Sequence, residues 1–512
     1  MTRAAALALL LCLAACRNAP ADPVVMPGPQ PGVDVQSVRV HLLLDVGRLG
    51  VRARATLRVR HPRRLDTLRV GLDDVLAVRR VRVDGTDARV ARDGDALLVP
   101  LTPGDTLTDV SVDYDGRPAR GLYAADAAGQ RVVFTDGWPD RTAGWLPAVH
   151  HPSDPFALDL TVTAPATYTV VLSGETRLDT VVAGRRTVRS VLPAGAPAYT
   201  AAFAVGEYVT VEDNAGSVPV RHALLRSDAG RARDLARVPA ILDTLAALLG
   251  PYPYPTFATV EVPIAYAGME NAAAPFIQAA IYREAAEGRN PLEEVVVHDL
   301  VHQWWGNAVP PNDWRDLWLA EGPATYLSAE VLGRLDGPDV RMRHLARLAR
   351  ETTPADARRR LVPAFLGRPE EAFTRTVYNK GASFLHVLRL TVGDRAFWAA
   401  LRAVQAARRP VSTGAFRAAF ERESRRDLGP LFAYWAYGTD VPRLDTRWDR
   451  RTQTLSWTLA DGGSGLARVP ATLLVRQGDA ERVVRLAAGR VRMPGTARPD
   501  IWPVGVLLDV RR

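Results

Sequence analysis

Apolar and polar residues alternate with period two along Val38-Arg39-Val40-His41-Leu42 and Leu158-Asp159-Leu160-Thr161-Val162, the spacing of strands that bury one face. Asp84-Gly85 and Asp93-Gly94 punctuate the stretch as turns. The pattern predicts an all-β domain over about 34–206. From about 207 to 441 the spacing becomes helical. One helix is predicted over 230–249, ending at Gly250 before Pro251 and Pro253. Another starts near Asn290, which can cap it; Pro291 suits the first helical position and Glu293 completes a capping-box arrangement. Further helices are predicted over 324–335, 381–392, 394–408, 413–423 and 427–437. Strand patterns return over about 442–512, as in Ala471-Thr472-Leu473-Leu474-Val475 and Val504-Gly505-Val506-Leu507-Leu508, and fit a small β-sandwich. The expected class is an α+β multidomain chain, with no internal repeat at a fixed period.

The start of the chain reads differently. Arg3 precedes an apolar run, Ala4 to Ala15, too short to span a bilayer. Leu13-Ala14-Ala15-Cys16 resembles the lipobox of bacterial lipoproteins, which implies a signal peptide over 1–16 and lipidation of Cys16; the alternative is a plain secretory signal. Acyl chains anchor by about 0.8 kcal/mol per buried methylene, so a membrane-held protein of the cell envelope is expected. Arg17, rather than Asp, follows the cysteine and favours the outer membrane. Residues 17–33, with Pro20, Pro23, Pro27, Pro29 and Pro31, read as an extended tether.

The 512 residues suffice for roughly three domains. Formal net charge is +9, yet of 65 lysines and arginines only Lys380 is a lysine. The basic residues are interspersed with acidic ones and no aromatic–basic motif appears, so no nucleic-acid partner is expected. Cys12 and Cys16 are the two cysteines, which excludes a cysteine nucleophile or thiolate metal site in the body of the chain.

Candidate chemistry centres on His298-Asp299-Leu300-Val301-His302. Two histidines four apart lie on one helical face and can reach one Zn²⁺, although such a pair alone is more often structural. Glu321 follows nineteen residues after His302, in Trp318-Leu319-Ala320-Glu321-Gly322, and can supply a third ligand, leaving a position for water. Gly268-Met269-Glu270-Asn271 follows the strand-like run Val260 to Ile264. A carboxylate held there can bind a substrate's α-ammonium group. Tyr378, in Tyr378-Asn379-Lys380-Gly381, can donate a hydrogen bond to a developing oxyanion.

In this order, the Gly-Met-Glu-Asn, His-x-x-x-His-Gln-Trp-Trp-Gly-Asn, Trp-Leu-Ala-Glu-Gly and Tyr-x-Lys-Gly motifs resemble the gluzincin aminopeptidase family, which includes membrane alanyl aminopeptidase and leukotriene hydrolase. Tyr199 to Gly206, and Trp145-Leu146-Pro147 with Asp154-Pro155, resemble its N-terminal domain. The resemblance implies a β saddle domain, a thermolysin-like mainly helical catalytic domain and a small C-terminal β-sandwich. It implies one zinc held by His298, His302 and Glu321, peptide substrates gripped by Glu270 within Gly268, Met269 and Asn271, and an oxyanion stabilised by Tyr378. Asp316 and Asn307 become supporting residues.

The chain departs from that pattern. Asp299 stands where the family has its general base, Glu. It has the same carboxylate on a stem shorter by one methylene, so either turnover is weakened or the protein is a catalytically silent zinc-binding relative that binds peptides or acts as a scaffold. Pro323 replaces a usual Phe, so the Glu321 helix is expected to start close by. Where relatives place a second residue for the N-terminus stands Trp138, with Asp136 and Asp140 as neighbours and no assigned role. His150-His151 reads as structural.

Overall fold

The period-two stretches fold as strands. Asp34–Asp45 buries Val38, Val40 and Leu42 and turns Arg39 and His41 outward. The computed structural model describes residues 30–102, 104–127, 129–216, 218–284 and 290–511. The leader, Cys16 and most of the tether therefore lie outside the described residues. The chain divides into two units, one of residues up to 243 with 251–310, the other of 244–250 with 311–512.

In the first unit, Asp34–Asp45 lies inside an eight-stranded sheet. It runs parallel to Phe156–Pro165, with Val38 opposite Leu158, and antiparallel to Gly50–Arg60, with Val38 opposite Leu57. The exposed face carries cross-strand ion pairs, among them Arg54–Asp113 at 2.5 Å and Arg189–Asp159 at 2.8 Å. Each such exposed pair is worth about 1 kcal/mol or less; many of the arginines that dominate the composition are thus matched by aspartates. A five-stranded sheet follows, ordered Tyr208–Ala215, Val218–Leu225, Phe257–Val262, Phe276–Gln278, Gly268–Met269. The helix Pro291–His302 belongs to the same unit.

The second unit contains the helices Trp318–Asp336, Pro338–Glu351, Gly381–Val392, Asp394–Ala406, Thr413–Ser424 and Gly429–Trp435. Two small sheets follow in the sequence. One is ordered Arg490–Arg492, Thr454–Ala460, Arg443–Asp449, Asp509–Arg511, and the other Ala480–Arg485, Thr472–Gln477, Asp500–Val504. The Leu507 amide donates to Ser383 Oγ at 3.0 Å, which ties the end of the chain to the Gly381–Val392 helix. No helix among the described residues is long and apolar enough to cross a membrane.

Three local readings change. The helix expected over 230–249 begins only at Val238, because Arg226–Leu235 winds as a 3-10 turn. That stretch buries only Asp228 and Leu235, too little apolar surface to hold an α-helical stripe. Pro338–Glu351 is helical although the pattern hid it: Leu345 and Ala346 are its only buried residues, so its stripe is two residues wide among arginines. Pro323 sits in the second turn of Trp318–Asp336, so this helix starts earlier than its proline suggests.

The central strand Phe257–Val262 carries a buried acid. Glu261 accepts from the Leu225 amide at 2.8 Å and lies 3.6 Å from Arg283, which also pairs with Asp228. Burial pushes the Glu261 carboxyl up to about 8, and Asp228 adds to the rise. The folded protein therefore keeps a proton that the unfolded chain releases near pH 4–5, and stability from this group falls as pH rises through that window toward 8. The loss amounts to at most about 1.4 kcal/mol per pH unit. Glu261→Gln should flatten the decline of melting temperature between pH 5.5 and 8; an equally steep decline in the variant would exclude this origin.

Candidate active site

The helix Pro291–His302 is set by its own ends. Asn290 Oδ1 accepts from the Glu293 amide at 3.2 Å and Pro291 occupies the first turn. Val296, Val297, Leu300 and Val301 are fully buried, which leaves the helix one way to seat. It turns the Nε2 atoms of His298 and His302 toward each other at 3.1 Å. His302 Nδ1 lies 3.0 Å from the Trp305 carbonyl. A carbonyl only accepts, so Nδ1 carries the proton and Nε2 presents its lone pair. Two nitrogens 3.1 Å apart, each about 2.0–2.1 Å from one Zn²⁺, subtend about 100° there, close to tetrahedral. The pair fits a zinc ion on geometry and on tautomer.

Just beyond the helix, Gln303 and Asn307 fasten the Glu270 segment to it. Gln303 Oε1 accepts from the Ala273 amide at 2.8 Å, while its Nε2 donates to the carbonyls of Asn271 and Asp299 at 3.3 and 3.1 Å. Asn307 Nδ2 donates to the Glu270 carbonyl at 2.7 Å. Both residues are buried. Sequence reasoning left Gln303 without a role; its place in the run after His302 was the only signal. Gly268 and Met269 form the edge strand of the five-stranded sheet, and Asn271 is buried beside them. A Cβ at position 268 would run into the Asp299 carboxylate and into Val295. Asp299, 3% exposed, thus has backbone rather than a side chain against its acid group.

Tyr266 donates to Asp136 Oδ1 at 2.6 Å, and Arg141 pairs with the same carboxylate. Loss of solvent, then the charges of Asp136 and Glu270, hold the Tyr266 phenol well above its ordinary pKa. Asp136 therefore belongs to the electrostatic surroundings of Glu270, a link invisible in sequence order.

In the second unit, Glu321 lies in the first turn of Trp318–Asp336 and is 3% exposed. The start of that helix is anchored by a chain of hydrogen bonds. Trp318 Nε1 donates to Thr413 Oγ1 at 2.8 Å, and Thr413 donates on to Asp316 Oδ1 at 2.7 Å through its hydroxyl and at 3.0 Å through its amide. Burial raises the Asp316 carboxyl, while the two bonds from Thr413 oppose the rise. Tyr378 is half-buried in a π turn, Thr376–Lys380, with its ring edge-on to Phe373 at 5.5 Å.

Other clusters offer less. Asp73, Asp74 and Asp95 approach one another, but Arg120 pairs with Asp73, Asp95 and Asp140 and supplies the cation. His150 is buried against the Gly71 carbonyl at 3.2 Å, and burial lowers its pKa to about 4. A concavity of about 690 Å³ on the eight-stranded sheet, lined by His41, Arg52, Arg54 and Asp113 among others, contains none of the candidate site residues.

Residues 238–435 match the peptidase family M1 domain. This stretch is the domain of the gluzincin aminopeptidase family. The chain is 24% identical over 290 residues to aminopeptidase B of Homo sapiens, covering 54% of this chain and 43% of that one. It is 25% identical over 337 residues to leucine aminopeptidase 2 of Yarrowia lipolytica, covering 59% of this chain and 49% of that one. The chain thus spans about half the length of these relatives. Among solved structures, a variant of the M1 zinc metallopeptidase of Deinococcus radiodurans matches with a TM-score of 0.69 and 26% identity, covering 80% of this chain and 96% of that one. The same protein bound to a Tyr-Ser-Ala substrate matches with a TM-score of 0.70 and 27% identity, over the same shares. The β-rich N-terminal part, helical middle and C-terminal sheets of this chain follow that fold.

Proposed function

We propose that this chain is a zinc aminopeptidase that removes the N-terminal residue of peptides, with Asp299 as its general base. The observation that carries the reading is the convergence of the two imidazole Nε2 atoms at 3.1 Å, with the His302 tautomer set by the Trp305 carbonyl. We assign Glu321 as the third ligand: with the two histidines it gives the His₂Glu composition of a catalytic zinc site. When bound, zinc polarises a carbonyl and lowers the pKa of water. The chain's residues do the rest. Glu270, its backbone pinned by Asn307, binds the α-ammonium group and so sets the scissile bond one residue from the N-terminus. Asp299, between the two histidines, accepts the proton of the attacking water. Tyr378 donates to the oxyanion that forms.

A second reading keeps the metal and the peptide but not the turnover. The single-methylene shortening at Asp299 favours it. Hydrolysis of a panel of N-terminal amino-acid chromogenic amides, with and without a chelator, separates the two. The aminopeptidase reading expects chelator-sensitive release; no release from any amide would leave the silent relative.

Selectivity gives a further expected result. Acetylating the substrate N-terminus should lower cleavage by about ten- to a hundredfold, because it removes the cation that pairs with Glu270, a loss of roughly 3–5 kcal/mol for a fully buried pair and less at this half-buried site. Equal cleavage of free and acetylated peptides would remove Glu270 from this role.

We further propose that Cys16 anchors the protein to a membrane of the cell envelope. A Cys16→Ser variant should move to the soluble fraction; continued sedimentation with membranes would argue against lipidation.

A further inference from the structure

The loop that carries Tyr378 is held in a way that ordinary helix formation does not need. Thr376–Lys380 is a π turn that runs directly into the Gly381–Val392 helix. A π turn inserts one extra residue into the helical ladder. Tyr378, in the middle of the turn, therefore takes a direction that a continuous α-helix would not give it. The direction of Tyr378 depends on that turn staying wound.

Two features hold it. Lys380, the only lysine in the chain, is 1% exposed. Its Nζ donates to the Arg359 carbonyl at 2.8 Å and to the Gly438 carbonyl at 3.1 Å, groups 21 and 58 residues away in sequence. A compact ammonium can serve two converging carbonyls in a closed space, whereas a planar guanidinium carries its donors in a rigid fork. This is the one basic position where the chain, otherwise built with arginine, uses lysine. The second feature is backbone against backbone. A Cβ at Gly381 would stand 3.0 Å from Gly322 Cα, and one at Gly322 would stand 3.1 Å from Gly381 Cα. Gly322 is the residue after Glu321. The missing side chains let the two helices meet at the residues that adjoin Glu321 and the π turn.

We propose that Lys380 and the glycine pair Gly322 and Gly381 are positioning residues that fix the Tyr378 hydroxyl relative to Glu321. The proposal rests on the roles given above to Tyr378 and Glu321. Lys380 pins the π turn from behind; the glycines set the spacing in front. Neither touches the reacting atoms.

The test uses the full chain and compares the parent with K380M, G381A, Y378F and the K380M/Y378F pair. Turnover of an amino-acid chromogenic amide should fall about 10- to 100-fold in K380M and G381A, the effect of misplacing a group by roughly 1 Å. KM should stay within a factor of two and zinc should stay at one per chain. The double variant should be no slower than Y378F, because the pin then has nothing to place. Losses that multiply in the pair, or full turnover in K380M, would overturn the proposal. Amide hydrogen exchange over 376–381 gives a readout independent of activity. It should speed up at least tenfold in K380M and stay at the parent rate in Y378F; unchanged exchange in K380M would also overturn the proposal. An inactive parent would instead count against the aminopeptidase reading, and the exchange result would still judge the pin.

Discussion

His302→Ala should strip the metal and lower amide turnover by at least about a thousandfold. A metal ion contributes several kcal/mol of charge stabilisation in such sites, and about 4 kcal/mol corresponds to roughly a thousandfold in rate. His302 is the strongest position for the test because its donor atom is defined on both sides. Its Nδ1 is committed to the Trp305 carbonyl, so only Nε2 is left to bind. The ring is 1% exposed and sits at the end of a helix whose buried face is already filled by valines and leucine. Truncation removes a ligand without removing the wall that held it. Metal analysis should show zinc well below one per chain, with the far-ultraviolet spectrum unchanged. A His302→Ala protein that retained stoichiometric zinc would show the ligand set to be wrong.

Asp299→Glu should raise turnover about 10- to 100-fold at unchanged zinc content. A well-placed general base is worth about 10²–10⁴, and a shortfall near 1 Å can forfeit about a hundredfold. The residue follows His298 in sequence on the same helix, and its carboxylate packs against Gly268. Position 268 carries no side chain, so only backbone faces the longer carboxylate there. The gain should appear in the turnover number more than in KM, since proton transfer occurs only on the way to the transition state. Asp299→Asn, which keeps the size and removes the charge, should lose activity. A fall on going to Glu would mean that the helix is already adjusted to the shorter acid. No activity in any of the three forms would favour the silent relative.

The candidate chemistry was legible where it depended on neighbours in sequence. Asn290 and Pro291 start a helix wherever they fall before an apolar run, and an i, i+4 histidine pair must share a face of that helix. Strand alternation in Val38 to Leu42 likewise forced one side inward before any partner was known. These features follow from the 3.6- and 2-residue periods of the backbone, which a sequence carries in full.

What only the tertiary structure decided is the company those groups keep. Gln303 and Asn307 reach back more than thirty residues to carbonyls of the Glu270 segment. Asp316 is anchored by Thr413, 97 residues on. The Trp305 carbonyl selects the tautomer of His302, and Asp136 enters the surroundings of Glu270 through Tyr266. Glu261 keeps its proton because the strand on which it lies is central in its sheet. The 3-10 turn at Arg226–Leu235 and the π turn at Thr376–Lys380 also escaped the pattern. The physical reason is common to all of them. Hydrogen-bond satisfaction and desolvation depend on which groups the folded path brings together, and a periodicity along the chain holds no record of groups that meet only after it has folded.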